Sequence, residues 1–143
     1  MYKHKRFIHI ERHDMSANDI RWMRPVIERT KELVKAGLCK DASARASNGE
    51  PVQYISEHAV CWSLYGAIMR AEVDLTVDPK KHGQIAKYLC QFAGGSIVSA
   101  NDAAKKTSEL LKICTEGLQE LEVIAKRAAA QKKEERKRAS ESW

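Results

Sequence analysis

The chain has 143 residues, of which 43% are hydrophobic and 31% are charged, and its formal net charge is +6. Such a composition is typical of one globular domain and excludes a largely disordered chain. No apolar run approaches the roughly 20 residues that a membrane-spanning helix requires. The N-terminal residues MYKHKRFIHIERHD lack the apolar stretch of a secretory signal. We therefore expect a cytoplasmic protein that has no membrane partner.

The positive charge is concentrated at the two ends of the chain. Residues 1–13 carry four basic and one acidic side chain, and residues 126–138 carry seven basic and two acidic ones. Residues 14–125 carry 14 basic and 15 acidic side chains, so this part is nearly neutral. The pattern predicts three parts: a basic N-terminal arm (1–15), a helical domain (16–125) and a basic helical tail (126–143).

The first helix is predicted to begin near Ser16 or Asn18, because either side chain can accept hydrogen bonds from the first free amides of a helix. Pro25 has two interpretations. It either kinks this helix or begins a second one, because a missing N–H costs little in the first turn. Gly37 is a natural end for the helical stretch.

A small hairpin or an ordered loop is predicted near residues 42–53. The helical spacing is lost there, and Asn48-Gly49 is a strong turn signal because both residues tolerate positive φ. The next helix is predicted to be capped by Ser56 and to bury an apolar stripe. The stripe consists of Val60, Leu64, Ala67, Ile68 and Ala71.

Two further helices complete the prediction. One follows the pair Asp78-Pro79 and ends at Gly94-Gly95, and it buries Ile85, Tyr88, Leu89 and Phe92. The last helix is long and is predicted to begin between Ser99 and Asn101. Its apolar face is formed by Leu110, Cys114, Leu118, Leu121, Ala125 and Ala128. The predicted fold class is therefore mainly α, a compact domain of four to five helices with a long C-terminal helix.

Three stretches of sequence form an ordered set of motifs. They are Gly37-Leu-Cys-Lys-Asp-Ala-Ser-Ala-Arg45 with Gly49-Glu-Pro-Val52, then Ala59-Val-Cys-Trp-Ser-Leu-Tyr-Gly-Ala-Ile-Met-Arg-Ala71, then Asn101-Asp-Ala-Ala-Lys-Lys-Thr107. Over residues 26–125 the chain resembles, through these motifs, a family of small bacterial and tailed-phage proteins without an assigned activity. It departs from the family pattern at Leu38 and Ala100, where the family has Trp, and at Ser63, where the family has Cys. The resemblance supports the helical fold and implies a phage or bacterial origin, and it implies no reaction.

Five residues of these stretches are candidates for binding a small ligand or a host protein. Asn101 and Asp102 either cap the helix that they begin or place Asp102 opposite Arg45 or Arg70 in a polar pocket. Trp62 and Arg70 are eight residues apart, so they would face one side of a helix. There Trp62 either stacks on a ligand ring or fills the core beside Gly66. The candidate ligand-binding residues are Arg45, Trp62, Arg70, Asn101 and Asp102.

No constellation of residues identifies a reaction, so we leave catalysis open and favour a protein that is not an enzyme and uses no cofactor. Cys61 and His58 are three residues apart, but the sequence offers neither a group to orient them nor an oxyanion donor. His9 and His13 have metal-ligand spacing only if the arm is helical, and no metal site is predicted. The four cysteines include no Cys-x-x-Cys pair and are predicted to be reduced core residues.

The basic tail has two interpretations. As a solvated helix end it needs no partner, because cations near a helix C-terminus are favourable in their own right. As a nucleic-acid-binding arm it would neutralise phosphates, and its binding would depend strongly on salt. The cations concerned are Lys126, Arg127, Lys132, Lys133, Arg136, Lys137 and Arg138.

The sequence therefore favours a non-enzymatic binding module of phage or bacterial origin that engages a host protein or a small ligand. The alternative is an accessory nucleic-acid-binding protein that acts through its basic termini. A third hypothesis is a homo-oligomer held together by the last helix. The first interpretation requires that the three motif stretches meet in space.

Overall fold

A computed structural model describes residues 15–141 of the chain. This part contains five α-helices and a three-stranded sheet, so the mainly α prediction is confirmed. The elements are α1 (Ala17–Val34), β1 (Ala44–Ala46), β2 (Pro51–Val52), β3 (Ala59–Trp62), α2 (Leu64–Asp74), α3 (Gln84–Leu89), α4 (Ile97–Ala103) and α5 (Thr107–Glu141). Short 3₁₀ helices occur at Pro79–Lys81 and Cys90–Phe92. None of the described helices is long and apolar enough to cross a membrane.

Helix α1 forms the centre of the core, and its most extensive packing is against α5 and α2. Ser16 caps it, because Ser16 Oγ accepts from the Asp19 N–H while the Asp19 carboxylate accepts from the Ser16 N–H. Pro25 lies inside this helix, so the stretch before Gly37 is one helix and not two. Its central side chains Val26, Ile27, Thr30 and Val34 are almost completely buried. Each aliphatic side chain buried to this extent contributes about 2 kcal/mol to folding.

The predicted hairpin is present around Asn48-Gly49, where β1 and β2 pair antiparallel. The sheet has a third strand that the sequence did not predict, because β3 pairs with the other edge of β1 in the order β2-β1-β3. The small sheet therefore holds residues 44–62 against the N-terminus of α2.

The prediction that Ser56 caps a helix is wrong. Ser63 is the N-cap of α2, and its Oγ accepts from the Gly66 N–H at 3.0 Å. Val60 and Leu64 have helical spacing, but Val60 lies on β3 and is exposed. The β-branched and aromatic residues of Ala59–Trp62 suit a strand, and backbone pairing with β1 outweighs the helical spacing.

The last helix begins later than predicted. Residues 99–101 lie inside α4, which is capped by Ser96, and the chain breaks before α5 begins. The Glu109 carboxylate accepts from the amides of Lys105 and Lys106 at 2.6 and 3.0 Å, and these bonds lower the pKa of Glu109. They also satisfy free N–H groups near the start of α5. The predicted apolar face of α5 is present, with Leu110, Cys114 and Leu121 buried.

Gly66 allows α2 to approach the backbone that precedes β1. A Cβ added at Gly66 would lie 2.0 Å from the Ser43 carbonyl oxygen, which also accepts from the Ser63 N–H at 3.0 Å. Backbone atoms cannot move away as the end of a side chain can. Glycine is therefore required here by the close approach of two chain segments.

We expect Gly66→Ala to lower the free energy of unfolding by about 2 kcal/mol or more, because the new methyl group overlaps backbone atoms. This loss appears although alanine is intrinsically better in a helix by about 1 kcal/mol. Gly117→Ala in α5 is the matched control, since its Cβ would meet side-chain atoms and no backbone, the nearest being Leu89 Cδ2 at 2.5 Å. Chemical denaturation measures both changes, and equal losses would contradict the role given to Gly66.

Glu72 is a buried carboxylate at the contact between α2 and the residue that precedes α3. Its exposed fraction is 2%, and its Oε2 accepts from the Gly83 N–H at 3.2 Å. Desolvation raises the pKa of Glu72, and the Gly83 N–H and the nearby His82 offset part of this rise. The folded protein therefore holds the proton of Glu72 more tightly than the unfolded chain does.

The stabilising effect of protonated Glu72 should be complete below the ordinary glutamate pKa and should be lost as pH rises through the raised pKa of the folded state. We expect the wild type to lose stability relative to Glu72→Gln as pH increases above about 4.3. Glutamine keeps an oxygen that can accept from Gly83 but cannot ionise. Urea denaturation of both proteins across the pH range measures the difference between their free energies of unfolding. If the wild type gained stability relative to Glu72→Gln as pH rises, the raised pKa of Glu72 would be refuted.

Candidate functional site

The three motif stretches meet at the side chain of Asn101, which is 4% exposed. Its Nδ2 donates to the Cys39 carbonyl at 2.8 Å, and its Oδ1 accepts from the Leu64 N–H at 3.0 Å. Leu64 is the first residue of α2, so Asn101 satisfies a free amide of a distant helix. The prediction that Asn101 begins its own helix is wrong, because it lies inside α4.

An open cleft of about 360 Å³ lies over this junction, and we call it the motif cleft. Tyr65 and Val98 give it an apolar surface, since 42% and 58% of these residues are exposed. Asp41 and Asp102 add two carboxylates, and the Asp102 carbonyl accepts from Lys40 Nζ at 2.8 Å. The lining is Asp41, Ala42, Ser43, Ser63, Tyr65, Val98, Asn101 and Asp102.

Of the five candidate ligand-binding residues, only Asn101 and Asp102 line this cleft. Sequence reasoning missed Tyr65 and Val98, which are the exposed apolar residues of the lining. Both lie on helices, where an apolar residue normally indicates the buried face. No local signal distinguishes them from core positions, because their exposure follows from how α2 and α4 pack.

Arg45 has a structural role in the hairpin. Its Nε and Nη2 donate to the Lys40 carbonyl at 3.3 and 2.8 Å, and its Nη1 donates to the Gly49 carbonyl at 2.8 Å. The guanidinium thus joins the loop before β1 to the turn that follows it. The predicted pairing of Asp102 with Arg45 does not form, because these carbonyl groups occupy the donors of Arg45.

Trp62 and Arg70 lie close together, but not on one helix as predicted. Trp62 ends β3 and Arg70 lies in α2, with the guanidinium carbon 5.7 Å from the indole centroid. Trp62 Nε1 and Arg70 Nη1 both donate to the Tyr54 carbonyl, at 3.0 and 3.1 Å. Arg70 also pairs with Asp74 at 3.0 Å, so its carboxylate partner is not Asp102. Both side chains hold the loop before β3 against α2.

The cysteines of the structure are free thiols. Burial raises the pKa of Cys39 to about 11, with a further contribution from neighbouring Cys61, and burial raises the pKa of Cys114 to about 12. Cys39 and Cys114 are therefore protonated at neutral pH and are poor nucleophiles.

Cys61 lies on β3 and His58 precedes that strand, so the two do not share a helix as predicted. Within residues 15–141 no group of three or more His, Cys, Asp or Glu side chains could hold a metal ion. His9 and His13 lie outside the described residues.

The C-terminal part of α5 projects from the body. Every residue from 129 to 141 is exposed, and residues 126–141 correspond to about 24 Å of helix. At about 100° per residue, five cations share an arc of about 140° that contains no acidic residue. We call this arc the cationic face, and it consists of Lys126, Lys132, Lys133, Arg136 and Lys137.

The remaining two cations of the projecting helix lie on its other side. Arg127 and Arg138 share that side with Glu134, and Arg138 Nε lies 3.7 Å from Glu134 Oε1. Glu134 thus partly neutralises this side, whereas no cation of the cationic face forms an ion pair within residues 15–141. The seven predicted cations therefore fall into two groups.

Comparison with known proteins identifies no relative of this chain. No protein-family model matches the chain, no curated protein shows significant similarity to it, and no solved structure matches it significantly. The resemblance to small phage and bacterial proteins therefore stays a prediction, as does the origin that it implies.

We expect Asn101→Ala to lower the free energy of unfolding by about 2–4 kcal/mol, because it leaves the Leu64 N–H and the Cys39 carbonyl without their partner. Asp102→Ala is the control at the neighbouring position. It removes an exposed side chain, and only the backbone carbonyl of Asp102 accepts from Lys40, so the change should stay within about 0.5 kcal/mol. Thermal and urea denaturation measure both variants. Similar losses for the two would show that Asn101 does not join the motif stretches.

Proposed function

We propose that this protein is a non-enzymatic DNA-binding protein that contacts the phosphates of duplex DNA through the cationic face of α5. The observation that carries the proposal is a projecting helix with five cations on one face and no acidic residue among them. Among the described residues, none of these five cations forms an ion pair. The phosphates of a nucleic acid supply one negative charge per roughly 1.7 Å of duplex axis.

The dimensions of the projecting helix favour a duplex of the B form. A helix with its side chains is about 10–12 Å wide, and the major groove of B-DNA is about 12 Å wide. The deep, narrow major groove of duplex RNA does not admit side chains in this way. No aromatic side chain is interleaved with the cations of residues 126–138, and Trp143 is the one aromatic residue of the tail, which disfavours single strands.

The distribution of charge over the sequence is consistent with this function. The nearly neutral segment 14–125 leaves the projecting helix and the basic N-terminal arm as the two cationic parts of the chain. Contacts made by lysine and arginine with phosphates position a protein on DNA without reading its sequence. The proposed binding is therefore strong at low salt and tolerant of sequence.

The test is fluorescence anisotropy with a labelled DNA duplex over a series of salt concentrations. Five phosphate contacts predict a slope of log K against log salt near −4.5, and Lys133→Gln with Lys137→Gln should make the slope less steep by about 1.8. Arg127→Gln with Arg138→Gln is the matched control, because it removes the same charge from the other side of the helix. We expect a much smaller change for this control.

Equal effects of the two double variants would overturn the assignment of the cationic face. Absence of binding at low salt would overturn the DNA-binding function itself. Tighter binding to single strands than to duplex would show that the proposed groove contact is wrong.

A second candidate function is a binding module at the motif cleft, which engages a host protein or a small ligand. It is favoured by the exposure of Tyr65 and Val98 beside two carboxylates. Binding at the cleft would be lost in Val98→Asp and would not respond to substitutions on the cationic face. The hypothesis of a homo-oligomer held by α5 stays a prediction that the molar mass in solution would test.

A further inference from the structure

A second cavity, of about 190 Å³, lies between α2 and the loop that leads into α3. We call it the Glu72 cavity. Its lining includes two tyrosines, Tyr54 and Tyr65, the side chain of Met69, and His82, which lies near Glu72. It is separate from the projecting helix, so a function here would be independent of DNA binding.

The carboxylate of Glu72 offers this cavity a hydrogen-bond acceptor. Gly83 N–H donates to Oε2, whereas no described residue donates to the other oxygen, Oε1. Every fully buried side-chain oxygen or nitrogen of the described residues has a hydrogen-bond partner. Because Oε1 of Glu72 has none, it is not fully buried and borders open space. Because only 2% of Glu72 is exposed, the cavity that it lines is the space that Oε1 faces.

The chemistry of the lining selects the class of ligand. A carboxylate attracts a cation and repels an anion, and a metal ion would need several further oxygen or nitrogen ligands. No group of three acidic, histidine or cysteine side chains in residues 15–141 supplies them. Tyrosine faces and the methionine side chain suit the carbon atoms and the positive charge of an organic cation.

We propose that the Glu72 cavity binds a small primary ammonium ion, whose N–H groups donate to Glu72 Oε1 and whose short carbon chain lies against Tyr54, Tyr65 and Met69. A primary ammonium ion has three donors, so it supplies the hydrogen bond that Oε1 lacks. A bound cation would also offset the desolvation that raises the pKa of Glu72.

The size of the cavity limits the ligand to a few carbon atoms. A cavity of about 190 Å³ is below the usual range for drug-sized ligands, which begins near 300 Å³. The charge must be central to recognition, since a short alkyl chain buries little apolar surface. A neutral molecule of the same shape should therefore bind much more weakly.

The experiment is an NMR titration of the full ¹⁵N-labelled chain with n-butylammonium chloride, followed at the amide of Gly83. We expect a saturable shift with a Kd on the order of 1 mM, as is reasonable for a ligand of this size. The neutral analogue 1-butanol should bind at least tenfold more weakly. Ammonium chloride at the same ionic strength serves as the salt control and should give no comparable shift.

Two variants locate the binding. Glu72→Gln keeps an acceptor for Gly83 and removes the charge, and it should weaken butylammonium binding at least tenfold. Asp102→Asn removes a carboxylate of the motif cleft and should leave the affinity unchanged, because Asp102 does not line the Glu72 cavity. The proposal is overturned if no saturable shift occurs, if butanol binds as well as butylammonium, or if Glu72→Gln binds with unchanged affinity.

Discussion

The close contact between Gly66 and the Ser43 backbone is the constraint on which the arrangement of the fold depends. It allows the first turn of α2 to rest directly on the chain that enters β1. The same Ser43 carbonyl accepts from the Ser63 N–H, so the sheet and the helix meet through backbone atoms. Beside this contact the Leu64 N–H donates to Asn101 Oδ1, and this hydrogen bond holds α4 at the same junction. The motif cleft is formed by the elements that meet there.

The irregular segment between α1 and α2 explains why residues that resemble binding groups have structural roles. A segment with three short strands leaves carbonyl groups that backbone pairing does not satisfy, and each needs a donor. Arg45 supplies donors to Lys40 and Gly49, while Trp62 and Arg70 supply them to Tyr54. Arginine and tryptophan suit this work because each carries N–H donors on a long or wide side chain.

The groups available for binding are those that have no stabilising role within the fold. The cationic face has no acidic residue among its cations, Tyr65 and Val98 remain exposed in the motif cleft, and Oε1 of Glu72 has no donor among the described residues. Tyr65 of α2 lines both the motif cleft and the Glu72 cavity, so the two cavities adjoin the same residue. The projecting helix is separate from both, so its electrostatic role does not depend on the chemistry of either cavity.

The sequence by itself determined the elements that depend on neighbouring residues. The start of α1 near Ser16 or Asn18, the turn at Asn48-Gly49 and the apolar face of α5 are local patterns, and the separation of charge into a neutral body and a basic helix is visible in the sequence alone. Only the tertiary structure decided those features that depend on contacts between residues far apart in the sequence. Residues 59–62 became a strand because β1 offered an open edge. Asn101 binds the first amide of α2 because its partners, 37 and 62 positions away, come together only in the folded chain. The exposure of Tyr65 and the burial of Glu72 follow from the packing around α2, which no local periodicity encodes.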